Sequence, residues 1–189
     1  MQPQALEGGF ANPSAESAHA FRAALQALAR PGRIERIALA QAPAPVSPAA
    51  AGLLLTLCDG ETPIYIAPSH DSPALREWIA FHTGAPIVAR GQAMFALGRW
   101  ADLAPLDGFA QGTPEYPDRS ATLIVELEKL EPTGARLTGP GIETQARLSL
   151  PEVAAFRANQ ARYPLGIDFF FTCEEHVAGL PRSTNVEEG

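Results

Sequence analysis

The stretch Gln111-Gly112-Thr113-Pro114-Glu115-Tyr116-Pro117-Asp118-Arg119-Ser120 constrains this chain most, together with Ala121-Thr122-Leu123-Ile124-Val125-Glu126-Leu127 that follows it. Its first part can only be a stiff polar loop. Pro114 and Pro117 fix φ, remove two backbone donors and push Thr113 and Tyr116 towards extended conformations. The second part is apolar and β-branched, the signature of a buried strand. A rigid loop that carries Glu, Tyr, Asp and Arg at the mouth of such a strand can hold polar groups in fixed positions, as functional loops do. The plainer alternative is a surface turn with solvated Asp118 and Arg119.

Around this stretch the chain alternates helix and strand signals. Asn12-Pro13 reads as the cap and first position of a helix, with Ala18, Phe21, Leu25 and Leu28 at helical spacing and a stop at Pro31-Gly32. Ile34, Ile37 and Leu39 suggest a short strand. Ser47-Pro48 opens a second helix, Ala49 to Cys58, apolar nearly all round and therefore buried. Pro63 to Ala67 reads as a strand. Ser72-Pro73 opens a third helix through Leu75, Trp78, Ile79 and His82. Pro86 to Ala89 and Ala93 to Leu97 read as two strands about an Arg90-Gly91 turn, and Trp100 to Leu106 as one helical turn. Beyond the focal strand, hairpin-like strands are expected near Leu137 and Ala146. A fourth helix runs from Pro151 through Phe156, and Ile167 to Phe171 forms a buried strand. The segment from Glu174 to Gly189 reads as a polar tail. This alternation predicts an α/β fold, three layers α/β/α with a mixed β-sheet. The expected organisation is a flexible N-terminus over 1–9, one domain over 10–186 and a tail over 187–189.

The chain has 189 residues and a net charge of −7. An acidic surface of this kind argues against a general nucleic-acid binder, which needs a basic face. Thirteen Arg stand against the single Lys129. That bias suits carboxylate or phosphate recognition, and a GC-rich genome produces it as well. Cys58 and Cys173 are far apart and sit in apolar contexts, as small buried hydrophobes in a reducing compartment do. The N-terminus lacks the basic and apolar regions of a signal peptide, and no apolar run is long enough to span a membrane. A cytoplasmic location is expected.

Chemistry is limited by what the sequence lacks. It contains no P-loop, no G-x-G-x-x-G, no H-E-x-x-H and no G-x-S-x-G. Thr138-Gly139-Pro140-Gly141-Ile142 lies between strand signals and not ahead of a helix, so it reads as a turn. His19, His70, His82 and His176 show no metal-ligand spacing, and no metal is expected. His70-Asp71 reads as a turn pair. Lys129 lies in the polar context Glu128-Lys129-Leu130-Glu131 and is expected to be exposed, which disfavours a Schiff-base cofactor. The candidate site residues are therefore Glu115, Tyr116, Asp118, Arg119 and Ser120, as a ligand or docking loop. A carboxylate beside an Arg could serve as general base and anion clamp, but no nucleophile, metal or second catalytic half accompanies it. No catalytic residue and no cofactor are assigned. Asp118 and Arg119 could also be a structural pair that pins the loop.

Six segments then occur in one order: Leu28-Ala29-Arg30-Pro31-Gly32-Arg33, Phe81-His82-Thr83-Gly84-Ala85-Pro86, Gly112 to Thr122, Leu137 to Ile142, Pro164-Leu165-Gly166-Ile167-Asp168 and Leu180-Pro181-Arg182. Together they resemble the PhnH family, a subunit of the bacterial carbon–phosphorus lyase core complex, from about Gly9 to Val186. Asn12 stands where the family commonly has Asp, and His19 where Gln is common. The resemblance implies a fold similar to pyridoxal-phosphate-dependent transferases but lacking the cofactor lysine. It implies a homodimer and assembly with the G, I and J subunits. With G, I and L, the family supports displacement of adenine from ATP by a phosphonate, giving a ribose 1-phosphonate 5-triphosphate. The nucleosidase chemistry is usually assigned to the I subunit, and the radical cleavage to the J subunit, which carries an iron–sulfur cluster. Two separated cysteines do not supply the thiolate set of such a cluster here. The expectation is an accessory, non-catalytic subunit. The alternative is a stand-alone binding protein or enzyme for a phosphorylated or phosphonate small molecule, with Arg119 as the anion clamp.

Overall fold

Short strands and helices alternate because apolar runs bounded by Ser-Pro and Gly signals punctuate the chain. A computed structural model describes residues 7–38 and 40–189. In chain order the elements are β1 (Gly9–Phe10), α1 (Pro13–Ala29), β2 (Ile34–Arg36), β3 (Ala40–Gln41), α2 (Pro48–Leu57), β4 (Ile64–Ile66), α3 (Pro73–His82), β5 (Phe95–Arg99) and α4 (Trp100–Leu103). They continue as β6 (Thr122–Glu126), β7 (Ala135–Thr138), β8 (Ala146–Leu148), α5 (Val153–Gln160), β9 (Asp168–Cys173), β10 (His176–Leu180) and β11 (Asn185–Glu187). Two of the three caps read from the sequence, Ser47 and Ser72, make their side-chain bonds. Ser47 Oγ accepts from Ala50 N, and Ser72 Oγ accepts from Leu75 N, both at 3.2 Å. Asn12 occupies the cap position of α1 without a side-chain cap bond. Instead Glu16 reaches back and accepts from Ala11 N at 2.9 Å.

The main sheet has six strands in the order β2-β10-β9-β6-β5-β4. The pairs β4–β5, β5–β6 and β6–β9 are parallel, whereas β9–β10 and β10–β2 are antiparallel. This is the expected mixed sheet of an α/β protein. Both its faces are buried, so its strands are apolar at successive positions. In β6, Ile124 faces one core, while Leu123 and Val125 face the other. In β9, Phe170 joins the first core, and Phe169 and Phe171 join the second.

The two outer layers differ. Helices α1, α2 and α3 cover one face. On the other, α4 and α5 share the layer with a small antiparallel sheet of order β11-β7-β8. Phe156 of α5 meets Phe169 and Phe171 edge-on, with centroids 5.0 and 5.5 Å away. Among the described residues no helix is long and apolar enough to cross a membrane.

Several expectations need correction. The polar tail is in fact β10 and β11, and β10 is an internal strand between β9 and β2. Its sequence His176-Val177-Ala178-Gly179-Leu180 has small residues at its centre and no β-branched run to announce this. Gly179 is required because a Cβ there would lie 2.7 Å from Ala27 O in α1. Pro86 to Ala89 is no strand: only Ile87 bridges Ile64, and Arg90–Gln92 is a single 3-10 turn. Helix α1 buries Ala20, Ala23, Ala24 and Ala27, and leaves Phe21 and Leu25 about half exposed. Gly9 and Phe10 pair with Gln41 and Ala40. Ile37 lies outside β2, Leu39 and residues 1–6 lie outside the described residues, and Cys173 is only half-buried.

Candidate functional site

The focal loop is held by its own turns before anything else touches it. Thr113 and Tyr116 exchange backbone hydrogen bonds of 3.1 and 3.0 Å, and Thr113 Oγ1 accepts from Tyr116 N at 3.1 Å. Pro117–Arg119 then forms a 3-10 turn. Gln111 bridges Ser120, which closes the loop at its base. Gly112 sits at φ +79°, where a side chain would be strained, and a Cβ there would approach Pro117 O to 2.6 Å.

The outer clamp comes from the far end of the chain. Arg182 Nε and one terminal nitrogen donate to the two oxygens of Asp168 at 3.1 and 2.5 Å. The Arg182 backbone N–H donates to Asp168 Oδ1 at 2.8 Å. Nη1 also donates to Pro117 O at 2.6 Å, and Nη2 to Ser120 Oγ at 2.5 Å. With side-chain exposures of 13% and 25%, the Arg182–Asp168 pair is shielded enough to matter. The adjoining 164–168 segment is fixed in turn. Asn159, buried in α5, donates to Ile167 O and accepts from Ile167 N, both at 2.9 Å, and Gly166 N donates to Gln111 O at 2.9 Å.

Of the sequence-predicted residues, Ser120 is thus half-buried and engaged by Arg182. Glu115, Tyr116, Asp118 and Arg119 are exposed. Arg119 lies over the Tyr116 ring, 4.0 Å from its centroid, and no ion pair joins it to Asp118. The residues that pin the loop are therefore Asp168 and Arg182, not Asp118 and Arg119. The loop also precedes β6, so it lies at the amino ends of the parallel strands. Ligands of open α/β sheets bind at the opposite, carboxyl ends.

At those carboxyl ends lies a polar cluster that the sequence did not disclose. The turn after β4 carries Ser69 and His70, β5 ends at Arg99, β6 ends at Glu126, and β9 supplies Thr172. The turn itself was read correctly, since His70 N and Asp71 N both donate to Ala67 O. The His70 side chain, however, is buried, with the residue only 2% exposed. Glu126 accepts from Ser47 N at 2.7 Å and from Thr172 Oγ1 at 3.0 Å. Burial pushes its carboxyl above the ordinary value, partly opposed by Ser47, Thr172 and Arg99. Burial, then the Arg99 charge, holds His70 below its ordinary value, so it is neutral at neutral pH. His70 Nε2 and Glu126 Oε1 are 4.0 Å apart and do not form a direct hydrogen bond.

Among the described residues no three His, Cys, Asp or Glu are grouped to hold a metal. Cys58 is buried and its thiol is pushed up to about 12. Lys129 is 70% exposed and pairs with Glu131 at 2.8 Å.

The fold and the loop clamp define a class: an α/β protein with a mixed sheet whose most distinctive sequence segments serve as structural junctions. The model of a family of bacterial phosphonate metabolism proteins (PhnH) matches residues 8–187. The chain is also 42% identical over 196 aligned positions to the alpha-D-ribose 1-methylphosphonate 5-triphosphate synthase subunit PhnH of Rhizobium meliloti (strain 1021), covering 98% of each chain. It is 32% identical over 81 positions to a putative C-P lyase subunit protein, HtxG, of Stutzerimonas stutzeri, covering 40% of this chain and 42% of that one. The chain belongs to the PhnH family.

Proposed function

We propose that this chain is an accessory, non-catalytic subunit of a carbon–phosphorus lyase assembly. With its partner subunits it supports synthesis of ribose 1-phosphonate 5-triphosphate from ATP and an alkylphosphonate in the cytoplasm. The observation that carries the reading is the contrast within the focal loop. Its backbone is locked by the Arg182 clamp, while Glu115, Tyr116, Asp118 and Arg119 stand exposed. A backbone fixed before binding lowers the ordering cost of docking the outward-facing charged and aromatic side chains, which favours a protein partner over a reacting substrate. Near full-length similarity to a synthase subunit supports the same direction.

The partners are the G, I and J subunits and a second copy of this chain. For the homodimer the supporting feature is the apolar stripe of α1, where Phe21 and Leu25 are 52% and 53% exposed. The parallel strands are compatible with a pyridoxal-phosphate-transferase-like architecture, which an experimental structure of the family would test.

The deciding experiment is co-purification of the core subunits with wild type and with the triple variant Glu115→Ala, Tyr116→Ala, Arg119→Ala. Because these side chains are exposed, the variant should melt within about 1 kcal/mol of wild type, yet it should be lost from the complex. Unchanged assembly and turnover by the variant would remove the loop from the docking surface. Normal turnover by a G–I–J assembly lacking the whole chain would remove the accessory role.

A further inference from the structure

Six large apolar or aromatic side chains are exposed among the described residues, and four of them gather at the amino ends of the parallel strands. Met94 directly precedes β5, Tyr116 lies in the loop before β6, and Tyr163 lies in the turn before β9. These three strands are neighbours in the sheet, about 4.8 Å apart. Their entrances are tied together: Met94 O accepts from Thr122 N at 2.8 Å, and Gln111 O accepts from Gly166 N at 2.9 Å. Helix α3 connects the parallel strands β4 and β5, so it runs back against them and carries Phe81, in its last turn, to the same end.

Phe81, Met94, Tyr116 and Tyr163 are 57%, 48%, 51% and 61% exposed. Side chains of this size, about half exposed, offer together about 400 Å² of surface. A standard protein interface takes about 800 Å² from each partner, a little more than half of it apolar. The row therefore supplies most of the apolar part of one such interface, on a backbone already fixed by the Arg182 clamp and the Gln111–Ser120 bridge. Its charges choose between occupants. Glu115 and Asp118 are exposed and form no ion pair among the described residues, and Arg119 lies over the Tyr116 ring. A second copy docked across a two-fold axis would bring four such carboxylates against two arginines. A different chain with Lys or Arg around an apolar centre meets the same edge with opposite charge.

We infer that the amino-end edge of the main sheet docks a different protein chain, apolar at its centre and basic at its rim, with Met94 and Tyr163 as anchors. On the premise that this chain is a subunit, these two residues extend the docking surface beyond the loop. The test is binding of the full-length chain to the G–I–J assembly, with the double variant Met94→Arg, Tyr163→Arg against wild type. Both side chains are exposed, so the variant should melt within about 3 °C of wild type. Its Kd should rise about 100-fold; Met94→Ala with Tyr163→Ala, with an expected rise of about tenfold, serves if the arginine variant does not fold. Wild-type affinity should fall between about 0.05 and 0.5 M salt, and Glu115→Gln with Asp118→Asn should remove at least about half of that fall. Sedimentation of the isolated chain should give the same mass for wild type and variant. Equal binding by wild type and variant overturns the inference alone, as does a salt response unchanged in the amide variant. A lower mass for the arginine variant would mean that a second copy covers the edge, which also overturns it. Wild type that fails to bind the assembly overturns the subunit reading and this docking face with it.

Discussion

Glu126 shows how one residue can belong to a core strand and to a polar site together. It ends β6 after three buried apolar residues, and its oxygens reach Ser47 and Thr172 on neighbouring elements. Burial raises its carboxyl above the ordinary 4.5. The folded chain therefore holds this proton at pH values where the unfolded chain has released it. Stability contributed by the group is complete below 4.5 and falls as the pH rises through the raised value. Glu126→Gln has no proton to lose. Its stability relative to wild type should climb with pH across that window and then level off, measured by thermal melts at a series of pH values. A pH-independent difference would contradict the buried-carboxyl assignment. From sequence Glu126 was only part of an apolar run. Its partners Ser47 and Thr172 lie tens of residues away, as does the neighbouring His70, and no spacing rule links them.

At the scale of elements, the fingerprint segments turn out to be joints. Gly112 to Thr122, Pro164 to Asp168 and Leu180 to Arg182 meet at the Arg182 clamp. Leu28 to Arg33 and Leu137 to Ile142 meet where Gly141, at φ +79°, packs against Ala29 O too closely for any Cβ. The rigidity of the focal loop was legible in its two prolines. The clamp was not, because Asp168 and Arg182 become neighbours only when β9 and β10 pair with Phe169 opposite Leu180. Arg182→Ala would leave Asp168 half-buried without a cation and free the Pro117 carbonyl. A loss of about 2–3 kcal/mol follows, below the fully buried case because both groups keep some solvent. Urea unfolding should show it as a lower midpoint at unchanged slope. A shift under about 0.5 kcal/mol would mean that the loop is held by its own turns alone.

For the whole molecule, the surface follows from which helix face the sheet accepts. β10 brings Gly179 against Ala27, so α1 approaches closely and presents its small face inward. Phe21 and Leu25 are left outside. If that stripe joins two copies, Phe21→Glu with Leu25→Glu should give a monomer in sedimentation equilibrium, with each chain's stability kept within about 1 kcal/mol. A dimer that persists in the double variant would place the contact elsewhere.

Sequence alone determined the α/β class, the Ser-Pro helix starts, the buried strands β6 and β9 and the stiffness of the loop between Gln111 and Ser120. Each follows from local chemistry: proline geometry, capping side chains, β-branched runs. The ordered set of short segments also carried the family. Tertiary structure decided what no local pattern encodes. It made β10 an internal strand, because burial by neighbours and not hydrophobic content selected it. It turned the alanine face of α1 inward, because close packing on glycine outweighed the larger apolar stripe. It placed the recognisable loop at the amino ends of the parallel strands and gathered Ser69, His70, Arg99 and Glu126 at the carboxyl ends, because strand direction fixes which termini share an edge.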